Sequence, residues 1–315
     1  MASLFLALKA LVLWFKILPG MKKTILHFLS LLFLVSCQEE KSSEISQDYL
    51  EKHEEFQKKL REEQDYYLSI SDVFELDPLA MNSFGTAAEN DFQLRDSLAP
   101  SNIGQVKFDK DSLVFIASPE LEIKDKNDSI IERFPLAPID DRGHSPVLSF
   151  QNYSWYVNSH EKVKLLRILD SLNPEIKKFP GFESYDLDPD FIFQARVNRY
   201  KNPKIVEVPM AHDQTMNAEF IGELIFEYKG KAYSLDFMEG NFIMFGDETA
   251  KTTTYGAGRY LEFELDESGK AILDFNRAYN PPCSYSGFTT CAYPPQENWL
   301  DFEVLAGEKE KLKRK

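Results

Sequence analysis

The sequence predicts a mainly β protein, an antiparallel β sandwich or partly closed barrel with one N-terminal α-helix. Aromatic residues make up 13% of the chain, with 25 Phe and 14 Tyr, and such residues favour strands. After about Val106 apolar and polar residues alternate, and no strand–helix–strand order recurs. Clusters of Asp, Asn, Lys and Gly separate the alternating stretches, as expected for turns between short strands.

The beginning of the chain is typical of an export signal. Met21 begins "MKKTILHFLSLLFLVSC", in which two lysines precede an apolar run from Ile25 to Val35. That run is shorter than the roughly 20 residues of a comfortable membrane span. Its end, "LVSC", resembles a bacterial lipobox. The resemblance implies a signal peptide over 21–36, cleavage before Cys37, a diacylglyceryl thioether on its sulfur and an acyl chain, such as palmitate, on its new amine.

Two or three acyl chains anchor a protein firmly, so we expect the membrane as a partner through Cys37. We interpret residues 1–20, "MASLFLALKALVLWFKILPG", as an extension upstream of the true start; the alternative is a two-part membrane segment. The acidic "QEEKSS" after Cys37 resembles surface-export signals of lipoproteins in Bacteroidota. The expected location is the outer membrane, at either its periplasmic face or the cell surface.

The charge of the chain excludes nucleic acid as a partner. Residues 1–36 hold four lysines and no acidic residue, so the chain from Cys37 onward carries −19, against −15 for the whole sequence. A surface of this sign repels the phosphates of nucleic acids and anionic lipids. Solubility accounts for the charge, and affinity for cationic ligands is the alternative.

Residues 37–46 are polar and predict a flexible tether. Residues 47–68, "QDYLEKHEEFQKKLREEQDYYL", contain no Gly or Pro and place apolar side chains at three- to four-residue steps, which predicts a helix with one apolar face. That face packs on the domain or docks another protein. Residues 69–315 then form the β-rich domain, with two halves joined near the proline-rich 171–190.

Several strands can be placed within this domain. "FIFQARVNRY" alternates over its whole length. "ELIFEYKGKAYSLDF" predicts a hairpin that turns at Lys229-Gly230, and "RYLEFELDESGKAILDF" predicts a second one that turns at Glu267-Ser268-Gly269. "NWLDFEVLAG" predicts a final strand through Leu300, Phe302 and Val304.

Familiar catalytic signatures are absent from the sequence. It contains no G-x-S-x-G, no phosphate-binding or dinucleotide-binding glycine loop and no H-E-x-x-H, and its five histidines are scattered. We therefore expect no metal and no cofactor, and whether the protein is an enzyme stays open.

A family resemblance is carried by "TTTYGAGRYLEFE", by "LDFNRAYNPPCSYSGFTTCAYPPQEN" and by "AGEKEKL". These stretches resemble the C-terminal signature of a prokaryotic family named domain of unknown function 1684. The resemblance extends from about Gln47 to the end and is strongest after Phe242. Because the family has no established activity, the resemblance implies no chemistry.

Two cysteines within that signature predict a disulfide. Cys283 and Cys291 are flanked by Pro-Pro pairs, and a bend at Gly287 would bring their Cα atoms within the roughly 4.4–6.8 Å that the bond requires. A location outside the cytoplasm permits it. Free buried thiols are one alternative, and a metal or redox pair is another. Zinc usually needs four nitrogen or sulfur ligands, and no third cysteine remains once Cys37 is lipidated.

The residues around this loop form the candidate site: Asp274, Asn276, Arg277, Asn280, Arg259, Tyr255 and Glu297. One interpretation is structural, with ion pairs in which Asp274, Asp247 or Glu297 meets Arg259 or Arg277, and with amides that cap turns. The other is a pocket in which an arginine holds a carboxylate or phosphate and Asp274 or Glu297 acts as acid or base. Tyr255 would wall such a pocket.

Two functions follow from these alternatives. We favour an uncharacterised lipid-anchored extracytoplasmic module that binds a small molecule or an envelope protein. The alternative is a hydrolase that uses the Asp/Arg/Glu cluster around the C-terminal loop. Carboxylates that converge in a concave pocket with raised pKa values would indicate an enzyme. Groups consumed in mutual hydrogen bonds would indicate a structural role.

Overall fold

The computed structural model describes residues 45–313, apart from 111, 141–142, 161–162, 212–213 and 251. From Ile45 onward the chain forms one compact unit. The upstream extension, the signal peptide over 21–36, Cys37 and most of the tether lie outside the described residues, so those assignments stay predictions. No helix in the described ranges is both long enough and apolar enough to cross a membrane.

The predicted N-terminal helix is confirmed as α1, Gln47–Ser69. It begins where the Ser46 hydroxyl accepts a hydrogen bond from the backbone N–H of Tyr49 at 3.2 Å, which satisfies one of the free donors of the first turn. Its apolar face is buried on the β-rich domain, with Leu60 and Leu68 each 6% exposed. Helix α1 runs without a loop into the first strand, which begins at Ile70.

The strands described before residue 171 form a two-sheet sandwich. They are β1 (Ile70–Glu75), β2 (Ser83–Gly85), β3 (Phe92–Gln93), β4 (Gly104–Asp109), β5 (Ser112–Ala117), β6 (Arg133–Pro135), β7 (Leu148–Phe150), β8 (Tyr153–His160) and β9 (Val163–Asp170). One sheet has the order β1-β9-β8-β7 and the other β3-β2-β4-β5-β6. Trp155 lies between them, with its ring 5.6 Å from that of Phe84 and 5.3 Å from that of Phe115.

A short helix, α2 (Pro174–Lys178), follows β9 within the proline-rich segment. Asn173 caps it, because its Oδ1 accepts a hydrogen bond from the Glu175 backbone N–H at 3.1 Å. One hydrophobic cluster lies within residues 76–168 and another within 191–306. The division into two halves near 171–190 stays a prediction.

The remaining described strands form the part of the molecule that holds the candidate site. They are β10 (Phe182–Ser184), β11 (Ile192–Pro209), β12 (Thr215–Tyr228), β13 (Lys231–Phe237), β14 (Phe242–Phe245), β15 (Arg259–Glu262), β16 (Glu264–Leu265), β17 (Ala271–Asp274) and β18 (Glu308–Leu312). The main sheet has the order β13-β12-β11-β17-β16, while β14 pairs with β15 and β10 with β18.

The first predicted hairpin is confirmed, and the second is confirmed only next to its turn. The stretch predicted as its first strand is divided, because β15 pairs with β14 and only β16 pairs with β17. Lys229 and Gly230, with φ of 49° and 76°, form the two-residue turn between β12 and β13, and positive φ at both positions is the geometry of a type I′ turn. In the second hairpin the Gly269 N–H donates to the Asp266 carbonyl at 2.9 Å, and β16 pairs with β17.

The predicted last strand through Leu300 and Val304 is wrong. Both side chains are buried, as the alternating pattern indicated, but their segment is irregular, and the last strand is β18. The physical reason is that the carbonyls of Val304 and Ala306 accept hydrogen bonds from the guanidinium of Arg259 instead of from a neighbouring strand.

The architecture is therefore mainly β, with several antiparallel sheets in a sandwich-like arrangement and an N-terminal helix. The pair of β2 and β3 is a short parallel exception. This confirms the predicted fold class, with the sandwich rather than the partly closed barrel as its form.

Candidate functional site

Arg259 is almost fully enclosed by the protein. It lies on β15 with a side chain only 1% exposed, and its Nη2 is 2.9 Å from Asp247 Oδ2. The same guanidinium donates to three carbonyls: to Ala306 at 2.5 Å, to Glu308 at 3.1 Å and to Val304 at 3.1 Å. This side chain fastens the irregular C-terminal segment to β15.

The surroundings of Arg259 are built for a permanent charge inside the protein. Its guanidinium lies 5.2 Å from the ring of Phe245, which covers one face of the plane. Burial lowers the pKa of Arg259, and the carboxylate of Asp247 opposes that shift. Asp247 also accepts from the Thr249 hydroxyl at 2.5 Å and the Val304 N–H at 3.2 Å. Arg259 is thus occupied by its own chain and presents no donor pair to a ligand.

Asp274 and Asn276 form a second network at the end of β17. Asp274 Oδ1 accepts from the Asn276 backbone N–H and from its side-chain amide, each at 3.0 Å. Asn276 is also bound to Asp188 through the backbone N–H of that residue, at 2.9 Å, and through its carbonyl, at 2.9 Å. These bonds close the turn after β17 onto the segment before β11.

Arg277 joins this network at its solvent side. Its Nε lies 3.5 Å from Asp274 Oδ2, and its Nη1 pairs with Glu264. Its guanidinium also lies 5.8 Å from the ring of Phe56 on α1. The ion pairs Asp247–Arg259 and Asp274–Arg277 are two of the pairings that the structural interpretation of the sequence left open, whereas Glu297 pairs with Lys204.

A small depression of about 270 Å³ adjoins Asp274 and Arg277. Helix α1 forms one of its walls, and the Tyr49 hydroxyl donates to Asp274 Oδ2 at 2.8 Å. Burial, followed by the charge of Asp274, raises the pKa of Tyr49. Glu262 also lines the depression, and burial raises the pKa of its carboxyl. Sequence reasoning missed both residues, since spacing along the chain does not reveal that α1 meets β15 and β17.

Asn280 holds the last strand rather than a ligand. Its backbone N–H donates to Glu308 Oε2 at 2.8 Å, and its side-chain amide donates to the Lys309 carbonyl at 2.8 Å. Gln64 of α1 donates to the other carboxylate oxygen of Glu308 at 3.2 Å. Burial raises the pKa of Glu308 to about 7. The helix, the loop after β17 and β18 therefore meet at one buried carboxyl group.

The two cysteines lie next to each other with free thiols. The backbone N–H of Cys283 donates to Cys291 Sγ at 3.1 Å. Tyr255 lies beside Cys283, and burial, followed by the charge of that cysteine, raises the pKa of its phenol. The loop thus brings the two sulfur atoms together, as the sequence predicted, and the disulfide itself stays a prediction.

Glu297 lies apart from the other charged candidates, in a groove that we name the Trp299 groove. Its volume is about 720 Å³. The apolar side chains that line it are those of Val206, Pro209, Ala257, Tyr293, Pro294, Pro295 and Trp299. Glu207 and Glu297 supply carboxylates, and Glu297 Oε1 is 3.5 Å from Lys204 Nζ. The groove and the depression beside Asp274 share no lining residue.

The floor of the groove is rigid. A Cβ at Gly246 would lie 2.4 Å from the Trp299 ring, so the indole rests flat on the bare backbone of that glycine. The neighbouring Asn298 is fully buried and bonds through its side chain to the Asp236 N–H at 2.7 Å and the Met244 carbonyl at 2.8 Å. Trp299 therefore keeps its position while 41% exposed.

The candidate residues thus divide into three places. Arg259, Asn276 and Asn280 bind their own chain, and Tyr255 lies beside Cys283. Asp274 and Arg277 border the small depression, and Glu297 belongs to the Trp299 groove. Sequence reasoning missed Trp299, because a tryptophan in an alternating stretch is usually core. Among the described residues, no group of three or more His, Cys, Asp or Glu side chains is arranged to hold a metal ion.

Comparison with known proteins places the C-terminal part of the chain. Residues 177–309 match the model of a family described as "Protein of unknown function (DUF1684)". A solution NMR structure of an uncharacterised protein from Haloarcula marismortui is 33% identical, covering 42% of this chain and 78% of that chain, with a TM-score of 0.35. No curated protein matches the chain. The residues matched by the family model include the Trp299 groove, the buried Arg259 and both cysteines.

Proposed function

We propose, on the premise that residues 177–309 form a DUF1684 domain, that this protein is a lipid-anchored extracytoplasmic module that binds a small organic cation in the Trp299 groove. The observation that carries the proposal is an exposed indole held flat beside two carboxylates. None of the bonds described above closes this groove, in contrast to the network around Arg259.

The shape of the groove suits a small molecule. Its volume of about 720 Å³ falls within the roughly 300–1,000 Å³ of ligand pockets. Prolines and a tyrosine form the walls, so most of the lining is apolar and stiff. A stiff lining costs little conformational entropy when a ligand binds, which favours affinity for a compact ligand.

The charges favour a cation. Glu207 and Glu297 lie in the groove, and the nearby Lys204 is held between Asp236 at 2.8 Å and Glu297 at 3.5 Å. The chain from Cys37 onward carries −19, which draws cations to its surface. A tetrahedral ammonium over the indole face gains about 0.5–2 kcal/mol by cation–π attraction.

The lipid anchor supplies the location. The lipobox resemblance implies two or more acyl chains on Cys37, and the helix cap at Ser46 lies nine positions after this cysteine. A fully extended tether of that length spans roughly 30 Å. The domain would then remain close to the outer membrane, on its periplasmic face or at the cell surface, and sample cationic molecules there.

Hydrolysis is less well supported by the geometry. The hydrolase alternative needs Asp274, Arg277 and Glu297 around one substrate, and these residues line two separate cavities. Asp274 is engaged by Asn276, Tyr49 and Arg277, which is the arrangement expected of a structural network.

Titration with choline and with its uncharged isostere 3,3-dimethylbutan-1-ol tests the ligand class. We expect choline to change the fluorescence of the exposed Trp299, and calorimetry to show weaker binding of the neutral alcohol. Trp299→Leu should lower choline affinity by roughly tenfold, since it removes the cation–π contact. Glu207→Gln and Glu297→Gln, each made alone in the natural chain, should also weaken choline binding. The loss should be larger at low salt, where the charge of the carboxylate is less screened.

Glu227→Gln is the matched control, because Glu227 is an exposed residue of β12 outside the groove. Equal affinity for choline and the alcohol would refute the cationic class while leaving the groove as a binding site. No binding of either compound by calorimetry would overturn the proposed function.

The anchor is tested by metabolic labelling with an alkyne analogue of palmitate. We expect label on the natural chain, loss of label in Cys37→Ala, and release of that variant from the membrane fraction. Equal labelling of both chains would refute lipidation at Cys37 and would leave the proposed ligand class unaffected.

A further inference from the structure

The loop from Cys283 to Cys291, named here the cysteine loop, lies at a junction of the fold. The hydroxyl of Ser286 donates to the carbonyl of Tyr67 at the C-terminal end of α1, at 3.1 Å. Tyr285 stacks on Phe179, just after α2, with ring centroids 5.2 Å apart. One loop therefore touches the end of α1 and the residue that follows α2.

The same loop also contacts the first sandwich. The ring of Phe288 lies 5.0 Å from the guanidinium of Arg95, which follows β3. Phe288 also packs against the buried cluster that Ile70, Tyr156 and Leu169 form. Because these residues belong to β1, β8 and β9, the position of the loop is coupled to the packing of that sandwich on the rest of the molecule.

The two thiols at the base of this loop differ in access. Cys283 is half-buried, and Cys291 is 6% exposed within an apolar cluster. The Cys283 backbone N–H donates to Cys291 Sγ at 3.1 Å, so the inner sulfur already lies against the backbone of the outer cysteine. An outer, reachable thiol with an inner, resolving thiol is the arrangement that thiol–disulfide exchange requires.

The hydrogen bonds around the sulfur atoms favour negative charge on the inner one. The hydrogen bond between the two side chains raises the pKa of the Cys283 thiol and lowers that of Cys291. The Cys283 backbone N–H and the hydroxyls of Thr289 and Tyr260 also lower the pKa of Cys291. The backbone and hydroxyl donors remain when Cys283 is held in a mixed disulfide. They favour the thiolate of Cys291, which is the nucleophile of the resolving step.

We propose that Cys283 and Cys291 are a reversible redox site, which an external disulfide oxidises and which locks the cysteine loop against α1 and the first sandwich. Cys283 Sγ loses its proton, attacks one sulfur of the external disulfide and expels the first thiolate. Because the pKa of Cys283 is raised, this first step is the slow one. Cys291 Sγ then attacks Cys283 Sγ in the mixed disulfide and expels the second thiolate. The two protein thiols lose two electrons to the external disulfide, and their two protons appear on the two thiols released.

The closed ring has a physical consequence for stability. A disulfide restricts the unfolded chain, and a loop of about nine residues should raise Tm by roughly 5 °C in a chain of this size. The contacts of Ser286 with Tyr67 and of Phe288 with Arg95 would also open less often, since the backbone of the loop is tied at both ends. Oxidation is therefore expected to stabilise the contacts of the loop with α1 and the first sandwich as well as the loop itself.

The test uses the full chain, purified in detergent and treated with oxidised or reduced glutathione. We expect two titratable thiols in the lipidated, reduced protein and none after oxidation, with a Cys283–Cys291 peptide pair in mass spectrometry. The oxidised protein should melt roughly 5 °C higher, and dithiothreitol should restore the first state. Hydrogen exchange should slow in residues 283–291 and at the end of α1.

The double variant Cys283→Ser/Cys291→Ser is the control. We expect its Tm to equal that of the reduced protein and to be the same in oxidised and in reduced glutathione. Should that variant fail to fold, Cys291→Ser alone must stop at a stable glutathione adduct on Cys283. Two thiols that stay titratable in oxidised glutathione would overturn the redox site. A disulfide that forms without slowing hydrogen exchange in α1 would overturn its action on the junction.

Discussion

At the scale of single residues, the buried guanidinium of Arg259 holds the C-terminal segment against β15. Its guanidinium replaces the missing partner strand of the segment from Val304 to Glu308 by binding three of its carbonyls. Asp247 neutralises the charge from the other side at 2.9 Å. A planar group with several fixed donors can hold one carboxylate and three carbonyls, whereas the ammonium of lysine carries only three donors.

The first prediction concerns that geometry. Arg259→Lys keeps the charge but loses donors, and we expect it to lower the free energy of unfolding by about 3 kcal/mol, since buried carbonyls are left without partners. Urea denaturation of the two proteins measures the difference. Arg196→Lys is the control, because Arg196 is exposed on β11, and its expected effect is within about 0.5 kcal/mol. Equal losses in both variants would contradict the fastening role.

At the scale of elements, α1 is attached to the β-rich domain at several points along its length. Tyr49 binds Asp274 near its start, and Gln64 binds Glu308 near its end. Between them Arg61 donates to the carbonyls of Phe179 and Ile176, each at 2.9 Å. The apolar face supplies the area and these polar bonds fix the register, so the packed helix, one of the two alternatives from the sequence, is the one that the structure shows.

The second prediction concerns the pH dependence of this attachment. Burial raises the pKa of Glu308 from 4.5 to about 7, so the folded state binds this proton more tightly than the unfolded state. The contribution to stability is complete below pH 4.5 and is lost as pH rises through 7. Between pH 4.5 and 8 the loss should be about 3 kcal/mol.

Glu308→Gln removes the carboxyl group that titrates. Between pH 4.5 and 8 the free energy of unfolding of this variant should therefore decrease by less than that of the natural chain. Denaturation curves at pH 4.5, 6 and 8 measure the difference. Glu310→Gln, an exposed position of the same strand, should follow the natural chain. Parallel pH profiles for Glu308→Gln and the natural chain would show that Glu308 does not titrate in this range.

At the scale of the whole molecule, two hydrophobic cores are coupled by a small shared cluster. Ile70, Tyr156 and Leu169 form it, with Tyr67 and Phe288 packed against them. Helix α1, which lies on the C-terminal core, continues directly into β1 of the first sandwich. Unfolding of the first sandwich should therefore also disturb α1, and unfolding of the C-terminal core should disturb β1.

The third prediction follows from this coupling. The chain from Cys37 onward has two tryptophans, Trp155 in the first core and Trp299 in the groove. Fluorescence of Trp299→Phe reports the first half, and that of Trp155→Phe reports the second. We expect coincident denaturant midpoints for the two reporters, each measured beside circular dichroism of the same variant to correct for its own change in stability. Separate transitions within one variant would instead support independent halves divided near residues 171–190.

Local sequence was sufficient for the elements that depend on near neighbours. The helix over 47–68, the hairpin turn at Lys229-Gly230 and the turn before Gly269 follow from capping, spacing and glycine conformation, which act within a few residues. The adjacent position of Cys283 and Cys291 could also be predicted, because a nine-residue loop between proline pairs limits the separation of its ends. The alternation at Leu300 and Val304 predicted burial correctly but not the backbone, since burial and strand pairing are different requirements.

What the sequence by itself determined is the fold class, the N-terminal helix, the signature of a DUF1684 domain and the net charge. Tertiary structure alone decided which charges are consumed and which remain accessible. Arg259 and Asp247 are separated by a loop, α1 and β17 by more than two hundred residues, and Trp299 is exposed because Gly246 supports its ring. Such contacts depend on how the sheets pack and on which distant segments the fold brings together. A pattern of neighbouring residues in the sequence does not contain that information.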